Sequence, residues 1–392
     1  MYLPVFTVYL TGHGIGLDMV VFSQAFYSIL QFIGEVPTGL IADKFGQRLS
    51  VVIGYVIEAS GIVVVALFPT AIGLCACYAI GGLASAFLSG SEEALFFENA
   101  KSDNIAYGPS FAKYLSNQTV GMVVATAFGG IIFALFGAAS AQPLLWGTVV
   151  ALIFCAAFSL TLRDVQKESK TAESQGTKFW DMLRQGIATI RKDDLLRNMM
   201  VVMMLIVPGE YFLYNIYQPI FAQARVPAIW FGLSISLGLA LNAVIMQLIP
   251  AIERRWTLDK IIAAVGVVIG MGFLVLSWSQ TPVIAVLAVV GALGLVEVHR
   301  PVISDYLNER IESHQRVTVL STLSFAQRVA TTVLRILLAL AVLLGGVRLS
   351  GYIQGGYLIL GAALSYWLLI RCGCAHRVTP HGTTPPAASI IG

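Results

Sequence analysis

The chain has 392 residues, of which 57% are hydrophobic and only 11% are charged, and its net charge is +3. Soluble domains carry about 25% charged residues, so a chain this apolar cannot hide its side chains in one water-soluble core. Lipid is therefore the expected solvent for most of it. No basic run is long enough to bind a polyanion, and we expect no nucleic-acid partner.

Apolar segments of about 20 residues, long enough to cross a bilayer as helices, follow one another along the chain. Residues 1–12 are shorter, because at about 1.5 Å per residue they cover roughly 18 Å of a core about 30 Å thick. They predict the second half of a helix 1 that is truncated or truly short, and we expect full activity to need residues upstream of Met1. The sequence predicts helices 2 to 12 at 18–42, 50–68, 70–98, 109–136, 143–162, 198–222, 227–250, 259–278, 282–307, 317–345 and 351–371.

The loop charges predict the topology. Twelve helices place both termini on one side of the membrane, and nearly all loop Lys and Arg residues fall on that side. Only Arg225 and Arg348 fall on the other. By the positive-inside rule, both termini are cytoplasmic and the chain is a multi-pass protein of the cell (inner) membrane.

The polar segment 163–197 divides the chain into two six-helix bundles, 1–162 and 198–371. It is first polar and then amphipathic, which predicts a cytoplasmic linker with a helix lying on the membrane surface. The end of the chain, 372–392, is rich in Pro, Thr and Gly and is predicted to be a disordered cytoplasmic tail.

The loop between helices 2 and 3 reads GEVPTGLIADKFGQRLS. Its residues fit the pattern G-x-x-x-D-[RK]-x-G-[RK]-[RK] at Gly39, Asp43, Lys44, Gly46 and Arg48. With this motif and twelve helices, the chain resembles a transporter of the major facilitator superfamily. The stretches EVPTG, SGSEEALFFE, SDYLNERI and RVTVLS are similar to one prokaryotic branch of that superfamily.

The resemblance implies an all-α membrane protein with twelve transmembrane helices in two pseudo-symmetric six-helix bundles, working by alternating access around a central cavity. The loop 2–3 residues would then hold a cytoplasmic gate shut through charge pairs. Glu92, Glu93, Glu98 and Asp305, at cytoplasmic helix ends, are interpreted as gate partners rather than substrate ligands. Gln47 departs from the pattern, since it replaces a basic residue that often closes this charge network.

Polar side chains inside the apolar helices are expected to face a cavity or a partner, because an ionisable group at the bilayer centre costs about 2.5–3.5 kcal/mol. Helical spacing places such groups in stripes. The predicted substrate and proton pathway contains Gln31, Glu35, Glu210, Tyr214, Tyr217, Glu297, Arg300, Arg328 and Arg335. The alternative is that these groups join packed helices, and Glu297 and Arg300 can neutralise each other.

Among these residues, Glu210 is the predicted proton-linked group. Pro208 and Gly209 precede it, and a proline inside a helix frees a carbonyl and favours a kink. Broken helices often frame the binding site of transporters. Glu35 fits coupling and gating equally well, and Glu58 has no assigned role.

The sequence leaves three functions open. The first is proton-coupled efflux of drug-like or metabolite compounds; the second is an importer or facilitator of a polar nutrient or organic anion; the third is a non-transporting membrane sensor or partner. No Walker loop or nucleophile–base motif occurs, so we expect no enzyme. Cys372 and Cys374 match no closed zinc site, and we expect no metal and no cofactor. The expected partners are a small-molecule substrate, protons and the lipid bilayer, with the chain acting as a monomer.

Overall fold

The computed structural model describes residues 2–89, 91–102, 107–163, 175–210, 212–311 and 313–371, and the regular structure in these ranges is helical. Most of the linker's polar part and the tail, with Cys372 and Cys374, lie outside the described residues. The first bundle contains helix 1 (Leu3–Val5 and Phe6–Gly12), helix 2 (Leu17–Phe45), helix 3 (Gln47–Leu67), helix 4a (Ala71–Leu88), helix 4b (Ser91–Ser102), helix 5 (Tyr107–Phe136) and helix 6 (Ala141–Ser159).

The linker helix, Gln175–Lys192, leads into the second bundle. That bundle contains helix 7a (Asp194–Glu210), helix 7b (Leu213–Gln223), helix 8 (Trp230–Glu253), helix 9 (Leu258–Trp278), helix 10a (Pro282–Leu295) and helix 10b (His299–Arg310). The last helical stretch, Ser313–Arg371, is bent where Gly345 and Gly346 leave the helical conformation. We call the part before this bend helix 11 and the part after it helix 12.

Each predicted helix falls on an observed one, and the fold is that of a twelve-helix membrane protein. Eight stretches in the described ranges are long and apolar enough to cross a membrane. Two of these stretches, 116–159 and 318–371, each cover a pair of helices. The eight stretches therefore account for ten of the twelve helices. Helices 1 and 7 are missing from this set because helix 1 is short and helix 7 is divided into two shorter segments.

Within each bundle, glycines let helices approach closely, as is typical where lipid gives no hydrophobic drive for association. A side chain at Gly34 on helix 2 would lie 2.9 Å from the Ala86 side chain on helix 4a. A side chain at Gly270 on helix 9 would lie 2.9 Å from the Gly355 carbonyl on helix 12. Larger residues at these positions would separate the helices.

The two bundles meet through helix pairs 5 with 8, 2 with 11 and 1 with 7b, and the Leu3–Val5 segment of helix 1 also contacts helix 8. A pseudo-twofold axis that relates the bundles converts helix n into helix n+6. It therefore maps the 5–8 contact onto the 11–2 contact and maps the 1–7 contact onto itself. These three contacts thus follow the internal symmetry, although their chemistry differs from pair to pair.

The short helix 1 is held by a side chain of the other bundle. Gln218 of helix 7b is buried, and its Oε1 accepts hydrogen bonds from the backbone N–H groups of Thr7 at 3.0 Å and Val8 at 3.4 Å. These groups belong to the first turn of helix 1, whose N–H donors have no partner within the helix. Helix 1 is therefore capped from the second bundle.

The linker helix has an apolar face that is buried against another helix of the chain. Leu183 and Ile190 are buried, and Gly186 lies directly against Thr322 of helix 11. The sequence predicts a helix lying on the membrane surface; in the structure this face packs against helix 11, so the linker contacts the second bundle where helix 11 begins.

Candidate functional site

Among the described residues, helices 4, 7 and 10 are each divided into two segments. Helices 4 and 10 hold the same place in the two bundles. Interruptions at corresponding positions of two repeats are a mark of the binding site in secondary transporters. The helix 7 division follows Pro208 by two residues, close to the predicted kink.

The break in helix 10 contains one of the two non-glycine residues with a positive φ among the described residues. Val296 has an extended ψ of 135°, and Glu297 follows with a φ of +64°. A left-handed conformation costs a non-glycine residue about 1–2 kcal/mol, and it persists only where the surroundings enforce it. Glu297, a predicted pathway residue, is therefore held in a strained turn.

Asn242 of helix 8 helps to hold Glu297 in this conformation. Its Nδ2 donates to the Val296 carbonyl at 2.7 Å and to the Gly294 carbonyl at 3.2 Å. In a continuous helix these carbonyls would accept from residues four positions later. Asn242 thus satisfies acceptors that the break releases, and it stabilises the break from a neighbouring helix. Asn242 was not predicted from the sequence, because a single Asn in an apolar helix belongs to no recognisable motif.

Glu35 and Arg328 form an ion pair that joins helix 2 to helix 11 and so links the two bundles. Their side chains are 32% and 27% exposed, which places the pair at a partly open boundary. The Phe32 and Phe325 rings, each three residues before a member of the ion pair in sequence, pack with their centroids 4.8 Å apart. The structure therefore brings together two residues that the sequence predicted separately.

Arg335, two turns along helix 11 from Arg328, also contacts helix 2. Its Nη1 donates to the Gln24 carbonyl at 3.1 Å and to Ser28 Oγ at 2.5 Å. Both intramembrane arginines of helix 11 thus face the polar stripe of helix 2. Gln31, the other predicted pathway residue of helix 2, instead donates to Ser85 of helix 4a at 2.8 Å, inside the first bundle.

Other predicted pathway residues have packing partners. Tyr217 is 1% exposed; its ring packs against Phe221 and Phe231, and its hydroxyl donates to the Phe231 carbonyl at 3.1 Å. Tyr214 is half-buried on the same helix. Glu297 and Arg300 lie 3.5 Å apart across the helix 10 break, and the Arg300 side chain is largely exposed.

The predicted gate is only partly described, because the side chains of Asp43, Glu93, Glu98 and Asp305 lie outside the described residues, as does that of Glu210, the predicted proton-linked residue of the pathway. Gly46 has a φ of +96° at the turn between helices 2 and 3, which explains the glycine at this position of the motif. A side chain at Gly39 would meet open space. Lys44 is exposed, with its ammonium 5.2 Å from the Phe45 ring. Arg48 donates to the Leu162 carbonyl at 3.3 Å, at the end of helix 6.

Glu92 is placed differently from the expectation. We predicted a gate partner at a helix end; the structure turns its carboxylate into the first bundle. It accepts hydrogen bonds from Tyr55 at 2.5 Å and from Tyr114 at 3.4 Å, and it lines a cavity of about 350 Å³ between helices 3, 4b, 5 and 6. Its neighbours are hydroxyl groups of its own bundle, which lie within reach because helix 4b starts beside helix 3.

Two six-helix bundles that meet through helices 1, 2, 5, 7, 8 and 11, with helices 4, 7 and 10 each broken into two segments, are typical of a secondary transporter. The sequence model of the Major Facilitator Superfamily matches residues 1–331, and the chain belongs to this superfamily. Among curated proteins, no sequence match was found.

Solved structures share the fold at low sequence identity. A mutant of the nucleoside transporter NupG matches with a TM-score of 0.76 and 14% identity, covering 94% of this chain and 95% of that one. A POT family transporter in complex with a thioalcohol-conjugated peptide matches with a TM-score of 0.72 and 12% identity, covering 95% and 93%. A D-xylose-proton symporter matches with a TM-score of 0.69 and 16% identity, covering 93% and 91%.

Proposed function

We propose that the chain is a proton-coupled exporter of small lipophilic or amphipathic compounds, working as a monomer in the inner membrane with both termini in the cytoplasm. Transport itself follows from the superfamily. The observation that carries proton coupling is the ion pair between Glu35 and Arg328, because it links the two bundles that must separate during alternating access.

The two symmetry-related contacts between the bundles respond differently to a proton. Helices 5 and 8 meet through Gly130 and Gly232 and through a hydroxyl pair, Thr126 and Ser236, at 2.8 Å. No described group there changes charge. At the 2–11 contact, protonating Glu35 removes half of an ion pair. A proton therefore weakens one contact and leaves its counterpart unchanged.

This difference gives a cycle for export. Glu35 lies in the half of helix 2 that leads to the predicted cytoplasmic loop, so a proton on it loosens the 2–11 contact towards the cytoplasm. Substrate enters from that side as the proton leaves. Glu35 then pairs with Arg328 again, the bundles close on the cytoplasmic side, and the substrate is released outside. A proton from the outside then binds Glu35 and begins the next cycle.

Import is the alternative, and the comparisons favour it to a degree. One similar structure is a D-xylose-proton symporter and another a nucleoside transporter. A human organic anion transporter, MFSD10, shares the fold with a TM-score of 0.54 at 17% identity. Arg328 and Arg335 would suit an anion if it displaced their helix 2 partners. A non-transporting sensor on the same scaffold remains the third candidate.

A screen on inside-out vesicles with a pH-sensitive dye tests the proposal. The vesicle interior, which corresponds to the cell exterior, is acidified. An exported compound should then enter the vesicles and drive protons out. Proton movement in the same direction as the compound would establish symport, and no compound-dependent proton flux with any compound would favour the facilitator or the sensor.

Glu35→Gln tests the coupling residue, because it keeps the shape and mimics the protonated state. It should abolish uphill transport and retain downhill exchange. Asp194→Asn is a matched control, because it neutralises one carboxylate of an exposed ion pair with Arg197 away from the bundle boundary. If Glu35→Gln accumulates substrate against a gradient as the parent does, the coupling role of Glu35 is wrong.

A further inference from the structure

Helices 8, 9 and 10 enclose an apolar cleft of about 620 Å³ within the second bundle. Its walls are mostly aliphatic and include Ile245, Leu248, Ile252, Val265 and Val268. Leu248 is 51% exposed and Val268 is 47% exposed, so the cleft opens on the outer surface of the bundle. In a bilayer that surface faces acyl chains, and the cleft lies outside the boundary between the two bundles where the candidate site is found.

The end of the cleft nearest the loop between helices 8 and 9 is basic. Arg255 and Trp256 line it, and Arg254 and Lys260 lie beside them on the exposed surface. Among the described residues, none of these three basic side chains forms an ion pair. Trp256 is 47% exposed, at a depth where tryptophan marks the boundary between lipid and water.

We infer that this cleft binds one anionic phospholipid of the leaflet that borders the 8–9 loop. The aliphatic walls take an acyl chain, and Arg255, with Arg254 and Lys260, takes the phosphate headgroup. Basic pockets between transmembrane helices recognise anionic headgroups in this way. The basic side chains favour an anionic lipid over a zwitterionic one. The cleft adds a binding surface for the acyl chain, which a basic loop alone would lack.

The cleft also touches the strained part of helix 10. Leu295 and Val298 line it, and they flank the break at Val296 and Glu297. A lipid chain in the cleft therefore packs against both ends of the break. Lipid composition would in this way bear on the conformation of helix 10.

Lipid binding is measured on the purified full chain by native mass spectrometry, with phosphatidylglycerol or phosphatidylcholine of the same acyl chains. Two variants address the two halves of the site. Arg255→Gln/Lys260→Gln removes charge at the rim, and Ala264→Leu narrows the cleft, which Ala264 lines. Arg191→Gln/Lys192→Gln is the matched control, because it removes the same charge from the exposed end of the linker helix, on the same side of the membrane.

We expect phosphatidylglycerol to bind the parent and the control equally, and more tightly than phosphatidylcholine. The rim variant should bind phosphatidylglycerol about 25-fold more weakly, because each basic residue near a membrane surface raises the affinity for anionic lipid about fivefold. The narrowed variant should also lose it. Equal binding of both lipids, equal loss in the linker control, or full binding by the narrowed variant would each overturn the site. The rim residues are exposed, so their variant tests the headgroup contact even if the narrowed variant fails to fold.

Discussion

Neutralising the ion pair between helices 2 and 11 should shift the balance between the closed and open arrangements of the two bundles. Exposed ion pairs contribute about 0–1 kcal/mol, and breaking a buried one costs about 3–5 kcal/mol. The Glu35 and Arg328 side chains are 32% and 27% exposed, which lies between these cases. We therefore expect a coupling of about 2 kcal/mol, which corresponds to roughly a 30-fold change in the equilibrium constant.

The assay is a double-mutant cycle with Glu35→Gln, Arg328→Gln and both together. Spin labels at Phe45 of helix 2 and Ser324 of helix 11, both exposed, report the populations of the two arrangements through their distance distribution. Each single variant should favour the arrangement that is open on the cytoplasmic side. The double variant should shift the free energy of this equilibrium by less than the sum of the two single shifts. Additive single effects would mean that the two residues act independently, and the proposed coupling mechanism would then have no basis.

Three further predictions concern the backbone, the 5–8 contact and the topology. Glu297→Gly should be more stable to thermal unfolding than Glu297→Ala by about 1 kcal/mol, because both lose the side chain and only Gly tolerates a φ of +64°; the opposite order would contradict the strained turn. Gly130→Leu should abolish transport by pushing helix 5 away from helix 8, whereas Gly121→Leu, where a side chain meets open space, should transport normally; equal activity of both would refute the close contact. In a cysteine-free background, an impermeant reagent should label Gln280→Cys on intact cells and Arg255→Cys only after permeabilisation, and the reverse pattern would invert the topology.

The helices could be predicted because lipid imposes a simple rule: an apolar stretch of about 20 residues must satisfy its backbone hydrogen bonds internally. The predicted ranges therefore fall on the observed helices, and they differ from them mainly at the helix ends, where the last turns fray. The kink near Pro208 was also readable, because proline removes a backbone donor wherever it stands. These features depend on local chemistry alone.

The helix 10 break was not predicted, although Pro301 lies four residues after Glu297 and cannot donate a hydrogen bond to its carbonyl. The contribution of Asn242 could not be predicted from the sequence, because this residue is distant in the chain from the Gly294 and Val296 carbonyls to which it donates. The partner of Glu35 could not be predicted either. Its helical spacing predicted a polar face on helix 2 but not that Arg328 would meet it there, since that contact joins residues of opposite bundles.

Helices 4 and 10 show that the internal symmetry lies in geometry and not in sequence. Helix 4a ends at Ser89 with an extended ψ of 119°, and helix 10a ends at Val296 with a ψ of 135°. The sequences at the two places, LSGSEEA and LVEVHRP, have little in common. In helix 10 the turn is strained and is held by Asn242, so its conformation depends on how helix 8 packs beside it. Helix 8 also forms the uncharged contact with helix 5. We therefore expect a movement at that contact to reach the helix 10 break through Asn242, whereas in the proposed mechanism the charged contact between helices 2 and 11 responds to the proton.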